Sequence, residues 1–63
     1  MGAYYVAFRS GEYVYDKVDP RHYGRVVAVF NSTTIRVQWL DSGWKSDLPA
    51  KTLERVSREE ATA

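Results

Sequence analysis

The stretch "TIRVQWLDSGWKSDLP", residues 34–49, holds the clearest strand pattern in the chain and both of its tryptophans. Residues 34–40 alternate between apolar and polar side chains, which is typical of a half-buried β-strand. Residues 41–43, Asp-Ser-Gly, then predict a tight turn, and residues 44–47 predict a short strand that pairs back. The apolar face of the first strand carries Ile35, Val37 and Trp39.

Outside this hairpin, four further segments have the alternation or the β-branched composition of strands. These segments are 3–9, 12–18, 25–30 and 54–56. Pro49 and the residues after it predict a single helical turn, because proline is tolerated at the first position of a helix. The last seven residues, "SREEATA", offer no apolar anchor beyond alanine and predict a frayed or weakly helical tail.

Several short strands with frequent turns, in 63 residues, predict one all-β domain. An open sheet of this size would expose its edges and half of its apolar surface, so closure into a five-stranded antiparallel barrel of the SH3-like kind is expected. The predicted layout is an N-terminal strand or extension at 1–10, a barrel at 11–56 and a tail at 57–63. The predicted core is Val14, Val26, Val29, Ile35, Val37, Trp39, Leu48, Leu53 and Val56.

Composition narrows the classes of function. The chain has no cysteine and a single histidine, which argues against disulfides, the common zinc sites and any metal or other cofactor. Its net charge of +1 argues against tight binding of nucleic acid through charge alone. There is no apolar run long enough to span a membrane and no signal-peptide pattern, so a cytoplasmic protein without membrane contact is expected.

The segments "GEYVYD", "YGRVVAV", "IRVQWLDSGW" and "LPAKTLERV" together resemble the SH3-like barrels grouped as Tudor and KOW domains. The resemblance covers residues 11–56. It implies the barrel fold, whereas it implies little about function, because this fold hosts binders of proteins, peptides, DNA and RNA. Tudor domains that read methylated side chains use a cage of aromatic rings. The rings available here are Tyr13, Tyr15, Tyr23, Phe30, Trp39 and Trp44, and a small core needs most of them.

The ending "LPAKTLERV" is also similar to that of type B dihydrofolate reductase, a tetrameric SH3-like barrel. In that family a Val-Gln-Ile-Tyr segment just before the ending lines the pore and binds folate and nicotinamide. The matching residues here are Lys45, Ser46, Asp47 and Leu48. Because the glutamine and tyrosine are missing and an acid stands in their place, reductase activity is not expected.

The leading functional hypothesis is a small, non-catalytic module that binds a protein or peptide through exposed aromatic residues. Trp39 shares its face with apolar residues and belongs to the core, whereas Trp44 has charged neighbours and is the tryptophan expected to contact a partner. The predicted ligand-binding residues are Tyr13, Tyr15, Tyr23 and Trp44.

The alternative hypothesis is a nucleic-acid-binding domain that uses an arginine and tyrosine patch. Its predicted contacts are Arg21, Arg25 and Arg36, of which the last two are expected to face each other across a hairpin. Catalysis is not expected, because His22 reads as a solvated loop residue without a nucleophile beside it. The aspartates sit mostly at turns and strand ends, where this residue caps the backbone.

The N-terminal "AYYVAF", residues 3–8, is apolar on both faces and precedes the matched region. An unpaired strand there would pair with another copy, which predicts a homo-oligomer, most simply a two-fold dimer. The alternative is a monomer in which the segment adds a strand to its own barrel.

Overall fold

The computed structural model describes residues 8–20 and 22–63. These residues form five strands, a 3₁₀ turn at Ala50–Thr52 and one short helix, α1, at Arg58–Thr62. The strands are β1 Tyr13–Asp16, β2 Tyr23–Val29, β3 Thr34–Trp39, β4 Lys45–Pro49 and β5 Leu53–Val56. All neighbouring strands are antiparallel, and their order in the sheet is β4-β3-β2-β1-β5.

The prediction of a mostly β domain with five antiparallel strands and a helical turn before the last strand is confirmed. Residues 3–7 of the predicted first strand lie outside the described residues, as does Arg21. Within the part of the chain that the structure describes, no helix is long and apolar enough to cross a membrane.

The sheet is not closed into a barrel. Among the paired strands of residues 8–20 and 22–63, β4 pairs only with β3 and β5 pairs only with β1, so β4 and β5 are the two edges. Two features of β4 are typical of an edge strand. It ends in Pro49, which has no N–H to donate, and it carries exposed charges at Lys45 and Asp47.

The core lies on one face of the sheet, called here the inner face. It consists of a cluster of six buried residues: Val14, Val26, Ile35, Val37, Trp39 and Leu53. The predicted core residue Leu48 is half-buried and packs against this cluster, together with Phe8 and Ala50.

Two residues of the predicted core are not buried. Val56 pairs with Tyr13, and directly opposed residues in an antiparallel pair point to the same face. Val56 therefore lies on the outer face with Tyr13, and the prediction was wrong. Val29 pairs with Ile35 on the inner face, but it lies at the end of β2 and is 41% exposed.

A β-bulge explains why the inner-face residues of β2 are three positions apart. Val26 pairs with Val37 and Ala28 pairs with Arg36, so the extra residue Val27 interrupts the register. One extra residue reverses the alternation beyond it. Val26 and Val29 consequently point to the same face, which a regular strand would not allow.

The C-terminal segment forms a capped helix rather than a frayed tail. The Ser57 hydroxyl accepts a hydrogen bond from the backbone N–H of Glu60 at 3.1 Å, which is the expected contact of an N-cap serine. Ala61 is buried, and α1 packs beside β1. The sequence pattern Ser-x-x-Glu at 57–60 is the capping signal that marks this start.

Candidate functional site

Three of the four predicted ligand-binding residues lie together on the outer face. Tyr13 and Tyr15 alternate with the buried Val14, and Tyr15 pairs with Tyr23 of β2. The rings of Tyr15 and Tyr23 meet edge to face with centroids 6.2 Å apart. We call Tyr13, Tyr15 and Tyr23 the tyrosine face.

The chain itself packs beside part of the tyrosine face. The Tyr23 hydroxyl lies 3.5 Å from the Glu60 carboxylate of α1, and Tyr23 and Ala61 line the same small pocket. All three tyrosines are half-buried as a result of their sheet and helix neighbours. The area that they leave for a partner is smaller than the sequence suggests.

Trp44 is 76% exposed, which agrees with its predicted role as the exposed tryptophan. However, it does not join the tyrosine face. Its carbonyl accepts a hydrogen bond from the backbone N–H of Trp39 at 2.8 Å, so it stands opposite an inner-face residue at the β3–β4 turn. The register of this hairpin therefore separates Trp44 from the three tyrosines.

The arginines of the nucleic-acid hypothesis have different surroundings. Arg25 is exposed on the outer face and pairs with Gln38, whereas Arg36 pairs with Ala28, so the two arginines do not face each other as predicted. The bulge in β2 sets this register. Arg21 lies outside the described residues.

Arg36 is held by neighbours. Its guanidinium forms two hydrogen bonds with Asp47, at 2.7 and 3.2 Å, and lies 4.8 Å from the centre of the Phe30 ring. The hydrogen bond and the positive charge of Arg36 lower the pKa of Asp47. A phosphate would have to compete with this carboxylate for the arginine.

His22 is not the solvated loop residue that was predicted. Its ring stacks on Trp39 with centroids 3.9 Å apart, and Nε2 lies 3.4 Å from an Asp41 carboxylate oxygen. The histidine thereby covers one face of a core side chain. Within residues 8–20 and 22–63 no group of three or more histidine, aspartate or glutamate side chains is placed to hold a metal ion.

A concave surface of the described chain lies between β4 and β5, the two edge strands of the sheet. This groove has a volume of about 1000 Å³. We call it the edge groove. Its apolar lining comes from Phe8, Leu48, Pro49, Ala50 and Leu53, and its polar lining from Ser32, Thr33, Thr34, Asp47, Lys51, Glu54 and Arg55.

Phe8 is fixed at the edge groove by the core and by an arginine. It packs against the core cluster, and the Arg55 guanidinium lies 4.9 Å from the centre of its ring. Arg55 also pairs with Glu12 through contacts of 3.0 and 3.1 Å. The Phe8 ring is therefore a fixed part of the groove's apolar lining.

The environment of Glu12 favours its charged form. Partial burial acts to raise the pKa of Glu12, but the backbone N–H of Arg9 and the guanidinium of Arg55 outweigh it, and the net effect lowers the pKa. The Arg9 N–H donates to the Glu12 carboxylate at 2.8 Å. This carboxylate ties the turn at 9–12 to β5.

Sequence reasoning missed the edge groove because its lining comes from segments far apart in the chain. The only local signal is the sequence 45–49, "KSDLP", which combines charges and a proline as edge strands do. With this geometry in view, the chain was compared with protein families, characterised proteins and solved structures. No match was found.

Proposed function

We propose that this protein is a small non-catalytic module that binds an extended peptide segment of a protein partner in the edge groove. The observation that carries this proposal is an apolar groove between β4 and β5, which are the two edges of the sheet that residues 8–20 and 22–63 form. Concave apolar surfaces with a few polar groups are the usual binding sites of proteins. An extended peptide can satisfy its own backbone by pairing with a sheet edge.

The hydrogen-bond pattern of β4 supports this mode of binding. Ala50 N–H donates to Thr33 and Trp39 N–H donates to Trp44, both at 2.8 Å. In an antiparallel pair these bonded positions alternate with unbonded ones. The N–H groups of Lys45 and Asp47 consequently point away from β3, toward the open edge.

The fold class that we propose is an SH3-like barrel that is left open between its first and last strands in the sheet order. The strand order β4-β3-β2-β1-β5 and the 3₁₀ turn directly before β5 support it. The inner-face core also supports this fold class, because its buried residues come from every strand except the edge strand β4. If β4 and β5 paired with each other, the barrel would be closed and the edge groove between them would disappear.

Nucleic acid is the less well supported ligand. The net charge is +1, Arg36 is paired with Asp47, and only Arg25 of the two described candidate arginines is exposed without such an ion pair. Affinity for nucleic acid grows with the number of phosphates neutralised. The tyrosine face is also half-buried, which leaves the edge groove as the better surface.

Selection of short random peptides against the full chain tests the proposal. We expect the selected peptides to have apolar residues at every second position, because alternate side chains of a bound strand point into the groove. Binding should be lost in Leu48→Lys, which places a charge in the apolar lining. It should weaken in Lys51→Glu, a change at an exposed residue of the rim that leaves the core untouched.

Two matched controls decide where the peptides bind. Trp44→Ser removes an exposed aromatic side chain outside the groove, and Tyr13→Ser alters the tyrosine face. Both variants should bind the selected peptides like the parent. Peptides whose affinity depends on Tyr13 and is indifferent to Leu48 would overturn the proposal and favour the aromatic surface instead.

A further inference from the structure

We propose that β4 pairs with β4 of a second copy of this chain, antiparallel and with Ser46 on the two-fold axis. The contact consists of residues 44–48, all of which the structure describes. Among residues 8–20 and 22–63, β4 pairs only with β3, so its other side is an edge of the sheet. The contact uses one side of the edge groove, but it does not depend on the proposed peptide binding.

The first argument is the backbone of β4. The ladder between β3 and β4 directs the N–H and C=O groups of Lys45 and Asp47 away from β3. With Ser46 on the axis, Lys45 lies opposite Asp47 of the partner subunit. Each of these positions then exchanges two backbone hydrogen bonds, and the two-fold axis repeats them.

The charges on β4 select this register. Lys45 and Asp47 are exposed, and in the proposed pair each lysine lies opposite the partner's aspartate, which stabilises an antiparallel pair. A shift by two residues in either direction would centre the contact on Lys45 or on Asp47 and would set like charges opposite each other. A shift by one residue would align the outward backbone groups of one copy with groups that already bond β3 in the other.

Asp47 can accept both partners. Arg36 donates two hydrogen bonds to its carboxylate, at 2.7 and 3.2 Å, and the Asp47 side chain is still 46% exposed. A carboxylate has about four lone-pair sites, so a lysine ammonium can bind the same group. The charges then alternate in sign across three strands, from Arg36 to Asp47 to the partner's Lys45.

The same register gives the exposed Trp44 an apolar contact. Trp44 is 76% exposed and lies directly opposite Trp39, so its side chain points to the inner face. In the proposed pair it lies opposite Leu48 of the partner subunit, at a position without backbone bonds between the two strands, where side chains come closest. Leu48 is half-buried in the apolar lining of the edge groove. The indole ring of one copy therefore covers an apolar residue of the other.

The contact is short, and small interfaces of this kind are weak and transient. We expect the chain to be monomeric at micromolar concentration, where peptide affinities and unfolding are measured, and dimeric at millimolar concentration. A peptide paired with β4 and a second copy would compete for the same edge.

Charge exchange on β4 tests the register. Lys45→Asp sets aspartates opposite each other and Asp47→Lys sets lysines opposite each other, so each variant alone should dimerise about tenfold more weakly than the parent. A mixture of the two variants restores opposite charges at every position and should form a mixed dimer. Sedimentation equilibrium measures the mass against the 7.2 kDa of one chain. Lys17→Asp, at an exposed lysine outside β4, is the matched control and should associate like the parent.

Leucine methyl signals in NMR report on the apolar part of the contact. The Leu48 signals should shift as the concentration rises from micromolar to millimolar, because the partner's Trp44 ring then lies beside them. The signals of Leu40, which lines the pocket beside Tyr23, should stay in place. Trp44→Ser should remove the concentration-dependent shift of Leu48.

A mass of one chain at millimolar concentration overturns the inference, and so does a mixture of the charge variants that associates no better than its components. Dimerisation that Lys45→Asp leaves unchanged also overturns it, because the copies would then meet elsewhere. These outcomes are separate from the proposed function. Peptides that require Leu48 can bind a monomer, and a charge-dependent dimer can form in a chain that binds no peptide.

Discussion

At the scale of single residues, Gly24 is the position where the sheet has no room for a side chain. A Cβ atom there would lie 2.9 Å from Cε3 of Trp39, closer still to Val37, and 3.1 Å from the Gln38 carbonyl oxygen. Two of these neighbours belong to the core. The absent side chain lets the Trp39 ring lie against the backbone of β2.

Gly24→Ala should lower the free energy of unfolding by about 1–3 kcal/mol, since overpacking a filled core forces its neighbours to move. Urea denaturation of both proteins measures the difference. The control is Gly43→Ala. Gly43 has a φ of 79°, and among the described residues other than its chain neighbours none has an atom within 4 Å of its Cβ position, so only backbone strain of about 1–2 kcal/mol is expected there. An unaltered urea midpoint for Gly24→Ala would contradict the close packing.

Single-residue burial was predictable only in part. Alternation correctly indicated that Ile35, Val37 and Trp39 share the buried face. It did not indicate that His22 stacks on Trp39, because that contact joins a loop to a strand 17 positions away (39 − 22). Contacts of this kind depend on the three-dimensional fold, and no local sequence pattern predicts them.

At the scale of elements, the pair of Glu12 and Arg55 connects the N-terminal turn to β5. Because the folded pKa of Glu12 is lowered, the pair stabilises the fold fully above the unfolded pKa, about 4.3 for glutamate. This stabilisation is lost as the pH falls through the folded pKa. The carboxylate is about one-third exposed, so the contribution is small and weakened by salt.

Glu12→Gln should therefore melt below the parent at neutral pH, and the difference in Tm should shrink as the pH is lowered below about 4.3. Thermal melts at stepped pH values measure it. Glu54→Gln, at an exposed acid on the outer side of β5, is the control and should show no such convergence. A difference that stays constant down to the acid limit would show that the charge of Glu12 does not matter.

The elements were more predictable than their register. The five strands and the 3₁₀ turn follow from alternation, turn residues and Pro49, all of which are local signals. The bulge at Val27 has no such signal in "RVVAVF", where every residue suits a strand. It nevertheless decides which residues share a face, and this is why Arg25 and Arg36 are not opposed.

At the scale of the whole molecule, the four predicted ligand-binding residues do not form one surface. Alternation within each strand indicates which side chains are exposed, but it does not indicate which strands bring them together. Tyr13, Tyr15 and Tyr23 do share a face, whereas the β3–β4 register places Trp44 elsewhere. The edge groove arises only when β4 and β5 stand as the two edges of one sheet. No single stretch of sequence contains that relation.

The core of this protein is small, and one side chain holds much of it together. Trp39 is 5% exposed, stacks on His22 and donates a hydrogen bond from Nε1 to the Ser46 hydroxyl at 2.9 Å. It thereby connects β3, the loop before β2 and β4. Truncating a buried tryptophan costs about 3–5 kcal/mol, which is comparable with the total stability of a domain of this size.

Trp39→Ala should consequently be largely unfolded at 25 °C in the far-ultraviolet circular dichroism spectrum, whereas Trp44→Ala should retain the parent's melting curve. Trp39→Phe is the graded variant: it keeps an aromatic ring but loses the hydrogen bond to Ser46, and should melt between the two. If Trp39→Ala melts cooperatively within a few degrees of the parent, the core is not organised around this residue. Equal losses in the two alanine variants would instead give Trp44 a structural role that its exposure contradicts.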